Sequence, residues 1–372
     1  MRAALSAFLV LLGVGMGLRV SAGLTTDTLA KLRDSGRADY LAFSRSLKET
    51  GVLGWSGHAS AFRGPVYPLF LASVESFDAG RRPASPLIEA GLCSLEMPLA
   101  GWLAWGLAGP WAGVAAAALT SLHPALSRPL PAARVEPLYG FLLLLSAAGA
   151  AAWARKPTMP RAAAAGLCIG LGLLCRSVLV LFPLILAAVL ALGVTRPFDW
   201  KRSVWVLIGA AYLSLLPWTV RNWSQFGRFI PLEDHAADRN LIAAVDGVIE
   251  NLEGPSPDGG PEIPFDELGT RRQEALARIV RDPLPYLAST LERLGVMASW
   301  HGPLLLLAGL GFLRRRDDPV VVVLALMAGT FVLMHAPLSL EKRYLEPILP
   351  VLAVLAGCGV LDWLKSAGPR SS

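Results

Sequence analysis

The chain has 372 residues, of which 54% are hydrophobic and 17% charged, with a net charge of +6 and a mean hydropathy of +0.51. Soluble domains carry about 25% charged residues, so this composition excludes a soluble globular protein, and its low charge and high apolar content also exclude a disordered chain. The basic balance matches the Lys and Arg enrichment of cytoplasmic loops rather than a nucleic-acid surface, and the expected class is an all-α polytopic membrane protein.

A spanning helix needs about 20 mostly apolar residues. The first such run is 3–22. It is read as an uncleaved anchor, the alternative being a signal peptide ending at Val20-Ser21-Ala22. A polar segment, 23–85, follows. Runs 86–107 and 109–123 are separated by Gly109-Pro110, a helix break. Next come 136–153, then 162–175 and 177–194, divided by Cys175-Arg176-Ser177, and then 203–218. A second polar segment, 219–298, holds a Gly-, Pro- and acid-rich loop from Glu250 to Glu267, expected to be a mobile flap. Its second half has helical apolar spacing (Leu276, Ile279, Val280, Leu284, Leu287, Leu291, Leu294), broken near Pro283 and Pro285, and suits the membrane surface. The last runs are 299–313, 319–336 and 345–363.

These runs predict about ten transmembrane helices. With the amino terminus inside, Arg155-Lys156, Lys201-Arg202, Arg314-Arg315-Arg316 and the carboxy-terminal tail lie in the cytoplasm, and Lys342-Arg343 is the exception. Both polar segments then face outward. Three parts are expected: a seven-span module over 1–218 that includes the external loop 23–85, an external segment over 219–298, and a three-span module over 299–372.

The four cysteines sit in apolar stretches and form neither a disulfide framework nor a zinc site. The five histidines show no close metal-ligand spacing. Candidate chemistry lies on the external side. Asp34 and Asp39 stand in the first loop, where a carboxylate near the membrane can accept a proton from a hydroxyl. Arg176, Arg221 and Arg343 stand at external span ends, against the positive-inside trend. Their planar, permanently charged forks suit a phosphate, and snorkelling to lipid headgroups is the competing use. Glu136 opens the fourth span, where an acid is either functional or complements the helix dipole, with Arg134 beside it.

Four blocks carry a resemblance. They are Asp39-Tyr40 with Ser44-Arg45-Ser46-Leu47 and Arg63-Gly64-Pro65-Val66-Tyr67-Pro68; His123-Pro124 through Glu136; Gly170 to Arg176 with Pro217-Trp218-Thr219-Val220-Arg221-Asn222, Phe226-Gly227 and Ile230-Pro231; and Arg343-Tyr344 with Pro347 and Pro350. In this order they resemble the GT-C class of multi-span glycosyltransferases that use polyprenyl-phosphate sugar donors. The bacterial protein-mannosyltransferase-like or aminoarabinose-transferase-like branch is the most similar.

The resemblance implies a catalytic Asp in the first external loop. The family's Asp stands a few residues before the Tyr. Here Gly36 is four before Tyr40, so Asp39 and Asp34 are both candidates, with Asp39 favoured and Glu136 a further catalytic candidate. It implies that Arg63, Tyr67, Arg176, Arg221, Arg343 and Tyr344 line the donor phosphate and sugar site. A divalent metal serves some relatives, and this sequence offers no ligand set for one. The implied activity is inverting sugar transfer to an envelope acceptor (lipid, glycan or protein) on the external face of the plasma (inner) membrane, with membrane lipids as surroundings and no nucleic-acid partner. The chain is short for that family. A lipid-linked sugar flippase, a polysaccharide polymerase or ligase, and a non-catalytic scaffold are the alternatives. A topology reporter fused after residue 50 is expected on the external side, and a cytoplasmic signal there would overturn the orientation.

Overall fold

A computed structural model of the chain describes residues 2–25, 35–75, 84–127, 134–192, 200–251 and 267–367. The described residues are mostly helical, with one two-stranded hairpin and a single parallel bridge between Glu250 and Leu340. In order they are α1 (Arg2–Thr25), α2 (Ser35–Thr50), β1 (Gly54–Trp55), β2 (His58–Ala59), α3 (Val66–Val74), α4 (Ser85–Ala108), α5 (Pro110–Leu122), α6 (Pro124–Ser127) and α7 (Val135–Arg155). Then follow α8 (Met159–Cys175), α9 (Phe182–Ala191), α10 (Lys201–Leu213), α11 (Leu216–Phe226), α12 (Asp238–Val245), α13 (Leu268–Arg281), α14 (Pro283–Trp300), α15 (Gly302–Arg315), α16 (Pro319–His335) and α17 (Leu349–Ala367). Short 3-10 turns, Ser177–Leu179 and Lys342–Ile348, precede α9 and α17.

Among the described residues each apolar run read from the sequence is largely helical, with 203–218 divided between α10 and α11 and 299–313 between α14 and α15. Among the described residues, five helices are long and apolar enough to cross a membrane: Arg2–Arg19, Ser85–Ala108, Val135–Arg155, Lys201–Phe226 and Lys342–Leu364. A sixth arises if α14 and α15, bent by 93° at their junction, count as one span, and four further apolar helices are shorter. Proline opens α5, α14 and α16 at the first helical position, where its fixed φ fits and its missing N–H is not needed. Asp318 caps α16 by accepting from the Val320 N–H at 2.9 Å.

The protein is an integral membrane protein. α7 is the most enclosed helix, apolar on all sides and buried along most of its length. Trp153 and Tyr139 are fully buried on it, and the Trp153 indole donates to Ser203 Oγ at 2.9 Å. α1 is equally apolar but largely exposed, as suits a helix facing lipid. Its one buried charge, Arg19, donates to the carbonyls of Leu126 (3.1 Å), Thr120 (2.9 Å) and Cys93, tying α1 to α4, α5 and α6. The stripe of α13 and α14 stays exposed at Leu276, Val280, Leu284, Leu287 and Leu291.

α15 and α17 pack backbone to backbone. A Cβ on Gly311 would lie 2.0 Å from the Leu355 carbonyl, and one on Gly359 would lie 2.2 Å from that of Leu307. Small residues at such a crossing let two apolar helices approach without a hydrophobic drive between them. Gly311→Val is expected to lower stability in detergent by about 1–3 kcal/mol. Gly329→Ala, with nothing within 4 Å, is expected to leave it unchanged or raise it. Thermal unfolding of both variants checks the contrast.

Candidate active site

α2 carries Asp39 and Tyr40, and the β1–β2 hairpin returns the chain so that Arg63 meets them. Arg63 Nη2 lies 2.9 Å from Asp39 Oδ2, and its guanidinium covers the rings of Phe62 (4.5 Å) and Tyr40 (5.1 Å). Burial opposes the charge on Arg63, but the neighbouring carboxylates of Asp39 and Glu233 raise its pKa above its ordinary range. Burial pushes the Tyr40 phenol up as well, so it stays protonated. The next residue passes so close to the end of α8 that a Cβ on Gly64 would lie 2.4 Å from the Leu174 carbonyl. This contact seats the first loop against the segment that ends in Arg176.

Arg176 follows α8 in extended conformation, at the polar break between two apolar helices. Its guanidinium lies over the Tyr344 ring at 4.9 Å and 3.5 Å from Glu136 Oε1. Arg343 pairs with Glu341 Oε2 at 2.6 Å and reaches the same Glu136 oxygen at 3.9 Å. Tyr344 donates to Glu341 Oε1 at 2.6 Å and accepts from Asn240 at 3.2 Å. Glu136 Oε2 lies 3.4 Å from Arg134, which continues to Glu346 at 3.2 Å.

Asp39, Arg63, Arg176, Arg343 and Tyr344 therefore line one cavity of about 400 Å³. Glu136, 5% exposed, stands directly behind its arginines. Asp39, Phe62 and Arg239 also line a second cavity of about 530 Å³, whose other walls include Trp55, His58, Phe226 and Asp234. The Asp39 carboxylate thus stands between two spaces. Arg176 donates no hydrogen bond to another side chain among the described residues, so most of its N–H groups remain for whatever fills the first space.

Three residues named from the sequence do not line the first cavity. Tyr67 is fully buried behind Tyr40, their ring centroids 4.9 Å apart, and donates to Glu89 at 2.6 Å. Arg221 lies on the other side of the first loop. It donates to the carbonyls of Leu53 (2.7 Å) and Ser60 (2.9 Å) and to Asn222 Oδ1 (2.9 Å), with its guanidinium over Trp218 and Phe226. Glu136 is enclosed by arginines instead of facing the opening. Asp34 and most of the 250–267 loop lie outside the described residues.

Sequence reasoning also passed over several side chains at the cavity: Glu233, Asn240, Glu341 and His335. Glu233 accepts from Ser177 Oγ at 2.8 Å and from the Gly64 N–H at 3.4 Å, linking the second polar segment to the first loop and to α8. Its signal was its place two residues after Ile230-Pro231. His335 donates through Nδ1 to the Phe331 carbonyl at 2.9 Å, which leaves Nε2 as an acceptor.

No three His, Cys, Asp or Glu side chains converge as a ligand set among the described residues, and Asp39, the carboxylate between the cavities, is taken by Arg63. The described residues do not fit a divalent metal, and no step is assigned to one.

No model of a protein family and no curated protein matches this sequence. Solved structures match in shape. The oligosaccharyltransferase of Archaeoglobus fulgidus, in complex with Zn and sulfate, superposes at TM-score 0.54 and 14% identity, over 97% of this chain and 50% of that one. ArnT from Cupriavidus metallidurans bound to undecaprenyl phosphate superposes at TM-score 0.54 and 14% identity, over 98% and 61%. Its apo state gives 0.56 and 16%, over 98% and 62%. The chain shares the fold of these structures and spans less than two thirds of their length.

Arg221→Ala would leave the Ser60 carbonyl without its side-chain donor and the Leu53 carbonyl with only the Ser60 N–H, and is expected to lower stability by about 1–3 kcal/mol. Arg221→Lys should recover only part of this, because an ammonium cannot span both carbonyls and stack on Trp218. Thermal midpoints and the rate of proteolysis within 51–64 check this staple role.

Proposed function

We propose that the chain is a membrane glycosyltransferase that moves a sugar from a polyprenyl-phosphate donor to an envelope acceptor on the external face. The observation that carries this reading is the position of Asp39, between an arginine-lined cavity and a second, less basic one. The shared fold supports it, since one structure of that fold is bound to undecaprenyl phosphate. The topology that goes with it has ten spans and the first loop outside, the four shorter apolar helices and α15 each crossing.

The donor phosphate lies against Arg176 and Arg343, held in place by Glu136 and Glu341. The acceptor hydroxyl enters through the second cavity. Its oxygen attacks the anomeric carbon while Asp39 takes its proton, and the bond from that carbon to the phosphate oxygen breaks. The lipid phosphate leaves with its charge stabilised by cations already oriented, which is where electrostatic catalysis is strongest. A single displacement inverts the anomeric centre. Arg63 holds Asp39 in position, and Tyr40, kept protonated, adds a hydrogen-bond donor without a second negative charge.

Purified protein is incubated with radiolabelled polyprenyl-phosphate sugars and an envelope acceptor extract. Asp39→Asn is expected to lower transfer by about 10²–10⁴-fold, the range of a lost general base. Arg176→Ala is expected to weaken donor binding and slow transfer together. Full transfer by Asp39→Asn would move the base elsewhere, with Asp34→Asn as the next variant, and no transfer by wild type with any donor would sink the enzyme reading.

A further inference from the structure

A cavity larger than either of these lies away from the candidate site. It measures about 840 Å³ and occupies the crook where α14 turns into α15. Its walls are mostly apolar, with Leu119 and Leu122 from α5 and Leu304 and Leu307 from α15. It also has polar groups of its own, namely His123, His301 and Lys342. The two imidazole centroids lie 5.2 Å apart. His301 is only 8% exposed, and neither of its ring nitrogens has a hydrogen-bond partner among the described residues. Buried polar atoms left unpaired are costly and uncommon, so this imidazole points to a ligand.

The donor chemistry of that group can be read off. His123 Nδ1 accepts from the Ala125 N–H at 3.2 Å, which leaves its proton on Nε2. His301 supplies one N–H in either tautomer. The Lys342 ammonium lies 5.8 Å from the Trp300 ring, and its ion pair to Glu250 at 3.9 Å is solvent-exposed. Three donors, one of them a cation, stand beside an apolar hollow. The complementary molecule has hydrocarbon chains and an anionic oxygen head. The tail of a donor whose phosphate sits at Arg176 and Arg343 would bring hydrocarbon but no second head.

We propose that this crook binds an anionic phospholipid of the surrounding bilayer. The acyl chains lie along Leu119, Leu304 and Leu307, and the phosphate diester accepts from His123, His301 and Lys342. The site stands independently of the glycosyl-transfer reading.

The test uses the delipidated full chain and native mass spectrometry, with dioleoyl phosphatidylglycerol, dioleoyl phosphatidylcholine or polyprenyl phosphate added in detergent micelles. The expected result is one tightly retained phosphatidylglycerol, preferred over phosphatidylcholine. Lys342→Ala, a surface change that should not disturb folding, is expected to weaken that binding by about ten-fold. Leu304→Trp, which fills the crook, is expected to abolish it, while Arg176→Ala leaves it unchanged. Equal retention of both phospholipids, wild-type affinity in Lys342→Ala, or one-for-one displacement by polyprenyl phosphate would each overturn the proposal, the last assigning the crook to a prenyl tail.

Discussion

Glu136 is a buried carboxylate shared by arginines from three places in the chain. Arg134 precedes α7, Arg176 ends α8 and Arg343 opens the 3-10 turn before α17, and all three lie within 4 Å of it. Moving a charge out of water costs several kcal/mol unless it is paired and hydrogen-bonded. Glu346 and Glu341 complete the balance by taking Arg134 and Arg343. The result is a near-neutral network at the end of the bundle, with two arginines facing an open cavity. Such a network adds little net stability compared with apolar packing, but removing one member leaves a buried charge unpaired at about 3–5 kcal/mol. Its value lies in holding cations where they need not reorganise.

The remaining parts of the site are arranged around that network. The first loop is fastened on one side by Arg221, which grips Leu53 and Ser60, and on the other by the close pass of Gly64 over Leu174. Those two contacts bring the Arg63–Asp39 pair to the rim of the arginine cavity. Glu233 then ties the second polar segment to both Gly64 and Ser177. Three segments far apart in sequence therefore converge through single side-chain contacts and not through a shared sheet or helix face. This explains why chains only 14–16% identical can keep the same architecture: an apolar bundle tolerates substitution as long as volume and patterning hold.

The elbow between α14 and α15 follows from the sequence in a different way. The stripe from Leu276 to Leu291 stays exposed, while nearer the elbow Leu294 and Met297 of α14 pack against the main core. The helix breaks at His301, Gly302 and Pro303 open α15, and the chain turns through 93°. The hollow lies inside that turn, walled by Leu304 and Leu307 of α15 and by Leu119 and Leu122 of α5.

The sequence by itself determined the class of the protein and the positions of its apolar helices, because both depend on composition and run length. It also placed Arg176 and Arg343 at the ends of apolar runs and Asp39 in the first polar segment, where a polar group has reason to be, while Arg63 and Tyr344 were named through the family resemblance. Side-chain direction was not legible. Arg176 and Arg221 look alike in sequence, each a lone arginine beside a span, yet one faces a cavity and the other is used up by loop carbonyls. Tyr67 reads as a site residue but turns inward to Glu89, and Glu233 reads as a loop acid but reaches the cavity. The tertiary structure alone decided these, because the partner of each charged group comes from another part of the chain, more than a hundred residues away for Arg134 and Glu346, for Gly64 and Glu233, and for Arg221 and Leu53. No local spacing records such a pairing.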